Sequence, residues 1–195
     1  KTMTVKQGKK MAGNVQDAGM TRRFIAYLID WYVGALATAL PISMVAMKLY
    51  GTVKNQQIME FAAPMGMAAG AMGLLCAVLY YWVVPAAVWK GQTLGKRWLH
   101  IKIVGADGGE ATPGMLARRQ LLGIIVVEGS LVSASTIWHQ MATMATGINL
   151  VTPLMYAGIA VSLVSAIMVL FGGHRAIHDY LGGSRVIFLG QPEDK

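Results

Sequence analysis

Thr21-Arg22-Arg23-Phe24-Ile25-Ala26-Tyr27-Leu28-Ile29-Asp30 carries two arginines and then a carboxylate into the start of an apolar helix. From Phe24 to Met47 the only formal charge is Asp30. An aspartate inside a membrane helix costs roughly 2.5–3.5 kcal/mol on insertion scales, so it needs a partner. Arg23 shares a helical face with Asp30, yet at 1.5 Å per residue the two lie about 10 Å apart along the axis. The better partners are expected on other helices.

The rest of the chain agrees with a membrane setting. Of its 195 residues 55% are hydrophobic and 13% charged, with a mean hydropathy of +0.50. A soluble domain carries about a quarter charged residues. The net charge of +8 comes from basic residues that flank apolar segments, which is the pattern of membrane anchoring and argues against nucleic acid as a partner. Cys76 is the single cysteine, so neither an intrachain disulfide nor a cysteine zinc site is expected. Residues 1–21 read as a basic cytoplasmic tail, and with no short apolar core before a cleavage site they are not expected to be a signal peptide.

Working outward, the first crossing is predicted from Arg22 to Met47, followed by a polar loop with Lys48 and Lys54 that ends near Glu60. Phe61 to Trp89 carries no charge and exceeds the ~20 residues a crossing needs. Within it Gly66/Gly70 and Ala69/Gly73 form small-xxx-small faces suited to close helix packing, and Tyr80, Tyr81, Trp82 and Trp89 form an aromatic belt around Pro85. Lys90 to Arg119 holds six Lys or Arg and reads as extramembrane, with a strand over 99–104, turn chemistry over 105–109 and a helix start at Thr112-Pro113. A third crossing is predicted from Leu121 to about Trp138, with Glu128 near mid-membrane, and a fourth from about Asn149 to Phe171. Residues 174–181 read as a short interfacial helix, and 184–189 as a strand that pairs with 99–104 in a hairpin-like element. The expected architecture is thus an all-α membrane protein of four transmembrane helices. Its domain spans 22–189 between the tail and the C-terminal residues 190–195. Only Lys48 and Lys54 of the 17 Lys and Arg fall on one side, which places both termini in the cytoplasm.

Four motifs in order resemble the RDD family of bacterial membrane proteins, named for one arginine and two aspartates. They are Arg-Arg-Phe-Ile-Ala-Tyr-Leu-Ile-Asp at 22–30, Gly-Gln-Thr-Leu-Gly-Lys-Arg at 91–97, Ile-Lys-Ile-Val-Gly-Ala-Asp-Gly-Gly at 101–109, and His-Asp-Tyr-Leu-Gly-Gly-Ser-Arg-Val at 178–186. The resemblance places the signature on Arg23, Asp30 and Asp179, and implies a bacterial cytoplasmic (inner) membrane location and transport of ions or small solutes. Glu128 and the Met-rich turn at 141–144 lie outside that pattern.

The predicted topology gathers Arg23, Asp30, Arg119, Arg175 and Asp179 near the cytoplasmic face. An Arg23–Asp179 pair with Asp30 below it, neutralised by Arg175 or Arg119, is expected as a buried charge network that locks helices, relays ions, or does both. Asp30 and Glu128 are the candidate transport site, and Glu128 reads equally as a hydrogen-bonded core residue. His174 and His178 have the spacing of two zinc ligands, but no His-Glu-x-x-His is present, so no metal or other cofactor is expected. No nucleotide loop or nucleophile motif can be placed, and an enzyme is not expected. Two functions remain: a small transporter or ion/proton exchanger subunit, or an accessory subunit packed against a larger membrane complex. Either favours a homo-oligomer or a larger assembly in the lipid bilayer. A polar cavity that reaches Glu128 would favour transport, whereas an exposed small-residue groove on the second helix would favour the accessory role.

Overall fold

The computed structural model describes residues 16–53, 57–129, 132–173 and 175–190. It is mostly helical, and three of its helices are long and apolar enough to cross a membrane. The first, α1 (Met20–Tyr50), ends where Gly51 takes a left-handed conformation and donates its N–H to the Met47 carbonyl. Its buried residues recur every fourth position, at Ala26, Asp30, Gly34, Thr38, Ile42 and Ala46. The opposite face exposes Phe24, Tyr32, Leu36, Leu40 and Met44, as a lipid-facing surface does.

The second, α2, runs from Ala63 to Val88 and widens into a π-helix over Leu79–Val88. Pro85 sits in the widened part, where a looser winding accommodates a ring that would clash in a regular α-helix. The buried face of α2 is Gly66, Ala69, Gly70, Gly73 and Ala77. A methyl group on Gly73 would stand 3.1 Å from the Thr38 carbonyl, and one on Gly70 2.9 Å from Met141 Sδ. The small-residue face is therefore filled from within by α1 and by α5 (Ser133–Thr146).

The segment between α2 and the third helical stretch is more ordered than a strand and a turn. It opens with a short helix, α3 (Leu94–Trp98), which the sequence reading did not anticipate and which packs on α1. Strand β1 (Ile101–Gly105) follows and pairs antiparallel with β2 (Ser184–Phe188), Ile103 opposite Val186. The pairing is the expected one. Gln16 to Ala18 line the other edge of β2, with Phe188 N–H on the Gln16 carbonyl and Ala18 N–H on that of Val186. A two-stranded unit is marginal alone, and here Ile101, Ile103 and Val186 pack with Ala18, Ala26 and Leu116 to anchor it.

The predicted third helix is interrupted. Thr112 caps the start of α4 (Pro113–Ala117), which continues as a π-helix over Arg118–Val127 and stops at Glu128. The chain restarts as α5 at Ser133. The Ile125 carbonyl freed at the break accepts from Ser135 Oγ and Trp138 Nε1, and the Glu128 carbonyl accepts from Ser162 Oγ. Side chains thus satisfy backbone that helix winding has released. The third long apolar helix, α6 (Val151–Phe171), buries only Gly158 and Ser165, and packs on α5 and on the short helix α7 (Ile177–Leu181).

Candidate functional site

Two buried carboxylates organise one end of the bundle. Asp30 is the second residue of the α1 stripe, one turn after Ala26, and is 3% exposed. Its Oδ1 accepts from Tyr80 Oη at 2.7 Å and from the Gly95 backbone N–H at 2.9 Å, while Oδ2 accepts from Thr93 Oγ1 and from Lys96 Nζ at 2.8 Å. Three of these four donors belong to the Gly91–Arg97 segment. Gly95 makes the approach feasible, because a methyl group there would stand 2.3 Å from the Ala26 carbonyl. Tyr81 Oη donates to the carbonyl of Asp30 itself, filling the notch left by Gly34. Burial pulls the Lys96 ammonium towards deprotonation, and the Asp30 carboxylate opposes it.

Asp179 is completely buried in α7. Arg119 reaches its Oδ1 with Nε at 3.1 Å and Nη2 at 2.7 Å, Arg23 donates to Oδ2, and the Ala176 backbone N–H donates to Oδ2 at 3.0 Å. Burial alone would favour the protonated acid, but the charges of Arg119, His178 and Arg23 outweigh it and hold the carboxyl far below the ordinary range. Gly123 and Gly182 let α7 close onto the π-helical stretch, since methyl groups there would stand 2.6 Å from His178 Cβ and 2.7 Å from Arg119 Cβ.

The structure therefore places Arg23, Arg119 and Asp179 together, and Asp30 elsewhere. The expectation that Arg175 or Arg119 neutralises Asp30 is corrected: Lys96 does so, because α3 carries it against α1. Arg119 is engaged by Asp179. Arg175 donates from Nε to the Ser184 carbonyl, reaches the Asp179 backbone carbonyl at 3.4 Å and lies over the Tyr180 ring, tying α7 to β2. The sequence reading missed Tyr80, Thr93, Gly95 and Lys96 as partners of Asp30. Its available signal was the motif at 91–97.

Glu128 stands at the helix break. Its Oε1 accepts from Ser165 Oγ at 2.7 Å and from the His178 backbone N–H at 3.0 Å, and Oε2 lies 2.8 Å from His178 Nδ1. The other face of that ring approaches Asp179, with Nε2 3.9 Å from Oδ1. His178 thus hydrogen-bonds Glu128 and stands beside Asp179. His174, its partner in the zinc-like spacing, lies outside the described residues. Among the described residues no group of three His, Cys, Asp or Glu side chains could hold a metal ion.

A cavity of about 590 Å³ adjoins these groups. It is lined by Arg23, Lys96 and Arg119 on one side, by Glu128, His178 and Ser165 on another, and by apolar side chains of α1 and α6 such as Phe24 and Leu170. Asp30 and Asp179 do not line it. The carboxylates stand behind the cations.

Long apolar helices around a buried charge network define a multi-pass membrane protein. Residues 17–183, most of the chain, match the model of the RDD family, and the protein belongs to that family. No curated protein and no solved structure matches it.

Proposed function

We propose that the protein is a small transporter or ion/proton exchanger subunit of a bacterial cytoplasmic membrane. The observation that carries this reading is the cavity that reaches the Glu128–His178 pair. Intramembrane carboxylates beside an open volume serve as ion or proton sites, and Glu128 stands where a helix is interrupted, as transporter binding sites do. An exposed small-residue groove on α2 would favour the accessory reading, and that face is instead packed by Thr38, Ile58 and Met141.

In this proposal α4, its π-helical continuation and α5 together form the third of four crossings, between α2 and α6, and both termini face the cytoplasm. Cysteines introduced at Thr52 and Ile148 are expected to label from outside, and one at Ala106 is not. Because four helices enclose little volume, the working unit is proposed to be a homo-oligomer or part of a larger assembly. Asp30 serves mainly as a lock in this scheme, and Glu128 as the titrating group.

The test is proton flux in vesicles holding the purified protein, driven by sodium or potassium added outside. Glu128→Gln keeps the shape of the side chain and is expected to reduce flux about tenfold or more, with its thermal midpoint close to that of the parent. Equal flux in parent and variant would overturn the role of Glu128, and no cation-driven flux in the parent would overturn exchange.

A further inference from the structure

The cavity is chemically two-sided. At one end stand three cations whose neutralising carboxylates lie behind them. Lys96 Nζ donates to Asp30 Oδ2 and Thr93 Oγ1, which leaves its third N–H uncommitted among the described residues. Arg119 Nη1 is buried without an acceptor among the described residues. Buried donors of this kind call for an acceptor, and a cationic pair of Lys and Arg suits an oxyanion. Among the described residues Glu128 is the one carboxylate on the wall, and its oxygens are already engaged by Ser165 and His178.

Much of the remaining lining is apolar, with Phe24, Ile124, Ala166, Val169 and Leu170. Phe24 is 61% exposed and Leu170 50% exposed, so this apolar part joins the lipid-facing surfaces of α1 and α6. A small hydrated anion would gain nothing from that wall. We propose that the cavity binds an anionic membrane lipid, with its phosphate oxygens on Lys96, Arg23 and Arg119 and the upper part of an acyl chain along Phe24, Val169 and Leu170. A volume of about 590 Å³ is in the ordinary range of small-ligand sites. It holds a headgroup and the start of a chain while the remainder stays in the bilayer. The lipid sits beside Glu128 and sets the field that the carboxylate feels. The inference rests on this cavity being the functional site, but not on solute crossing the membrane.

The experiment is native mass spectrometry of the delipidated full chain titrated with phosphatidylglycerol, with phosphatidylcholine and with inorganic phosphate, alongside proton flux on the same preparations. Phosphatidylglycerol is expected to bind at least about tenfold more tightly than phosphatidylcholine. Inorganic phosphate at millimolar concentration is expected not to displace it. The preference is expected to fall to about a third or less in Lys96→Met, which removes a headgroup donor, and in Ala166→Trp, which fills the apolar end and leaves every charge in place. Equal binding of the two lipids would overturn the proposal. So would a preference that survives Ala166→Trp, which would place the lipid elsewhere, or displacement by phosphate alone, which would make the ligand a free oxyanion. If the lipid result fails while flux persists, only this inference falls; lipid binding without flux removes transport and leaves the lipid site standing.

Discussion

Asp30 and Asp179 are both buried carboxylates at one end of the same bundle, yet they are neutralised by different means. Asp179 has two guanidinium groups, one of them donating twice to a single carboxylate oxygen and 2% exposed, so charge meets charge in a buried setting. Asp30 has one ammonium and three uncharged donors, from Tyr80, Thr93 and the Gly95 backbone. The difference follows from where each residue sits. Asp179 ties α7, which closes tightly onto the π-helical stretch after α4, to α1, with which α7 has little other contact, so an ion pair bridges that gap. Asp30 lies on a stripe of small residues that already packs closely on α2, and its task is to seat α3. One nest holds by charge, and the other by shape and hydrogen bonds.

Truncation should separate them most sharply. Asp179→Ala leaves Arg119 and Arg23 without their carboxylate, and loss of about 3–5 kcal/mol is expected, as for other broken buried pairs. The thermal midpoint in detergent reads it, and Arg23→Ala combined with Asp179→Ala should cost clearly less than the two added. Asp30→Asn keeps the shape, and its one amide oxygen still accepts from Tyr80 and Gly95, but its NH2 group then faces Thr93 and Lys96, which lose their acceptor; about 1.5–3 kcal/mol is expected, the worth of a charged hydrogen bond. Adding Lys96→Met to Asp30→Asn should recover part of that loss. If Asp30→Asn costs as much as Asp179→Ala, the contrast between the nests disappears.

A third change probes shape alone. Gly95→Ala places a methyl group against the Ala26 carbonyl and pushes α3 away from Asp30, for an expected loss of about 1–3 kcal/mol. Gly114→Ala, which meets nothing within 4 Å, is the neutral control. The smallest effect concerns pH. Because the folded-state pKa of Asp179 is depressed, its contribution is complete above the unfolded carboxylate value of about 3.9 and is lost as pH falls towards the folded value. Stability should therefore show no slope from this group between about pH 5 and 7, and an acid limb below about pH 4 that becomes shallower in Asp179→Asn. An acid limb identical in Asp179→Asn would show that the Arg119–Asp179 contact does not govern acid unfolding.

Much of the framework was legible in the chain. The uncharged runs marked the long apolar helices, alternation at 101–104 marked β1, and the cost of Asp30 in lipid required a buried partner. Arg23 and Asp179 could be paired because each follows from a family motif at the same end of the molecule. The interruption at Glu128 was not legible, since the small residues beside it, Gly129, Ser130 and Ser133, are at home in membrane helices and no proline marks a break. What stops the helix is non-local: Ser135, Trp138 and Ser162 take over the hydrogen bonds that the winding releases.

By itself the sequence determined that this chain lives in a membrane, that its charges must be buried in pairs, and which short motifs belong to the site. Only the tertiary structure decided that Lys96 serves Asp30, that Arg119 serves Asp179 and that His178 hydrogen-bonds Glu128 beside it. Periodicity assigns a residue to a face of its own helix. The partner across that face is set by how closely two backbones approach, and here Gly95, Gly123 and Gly182 set that approach through the side chains they lack.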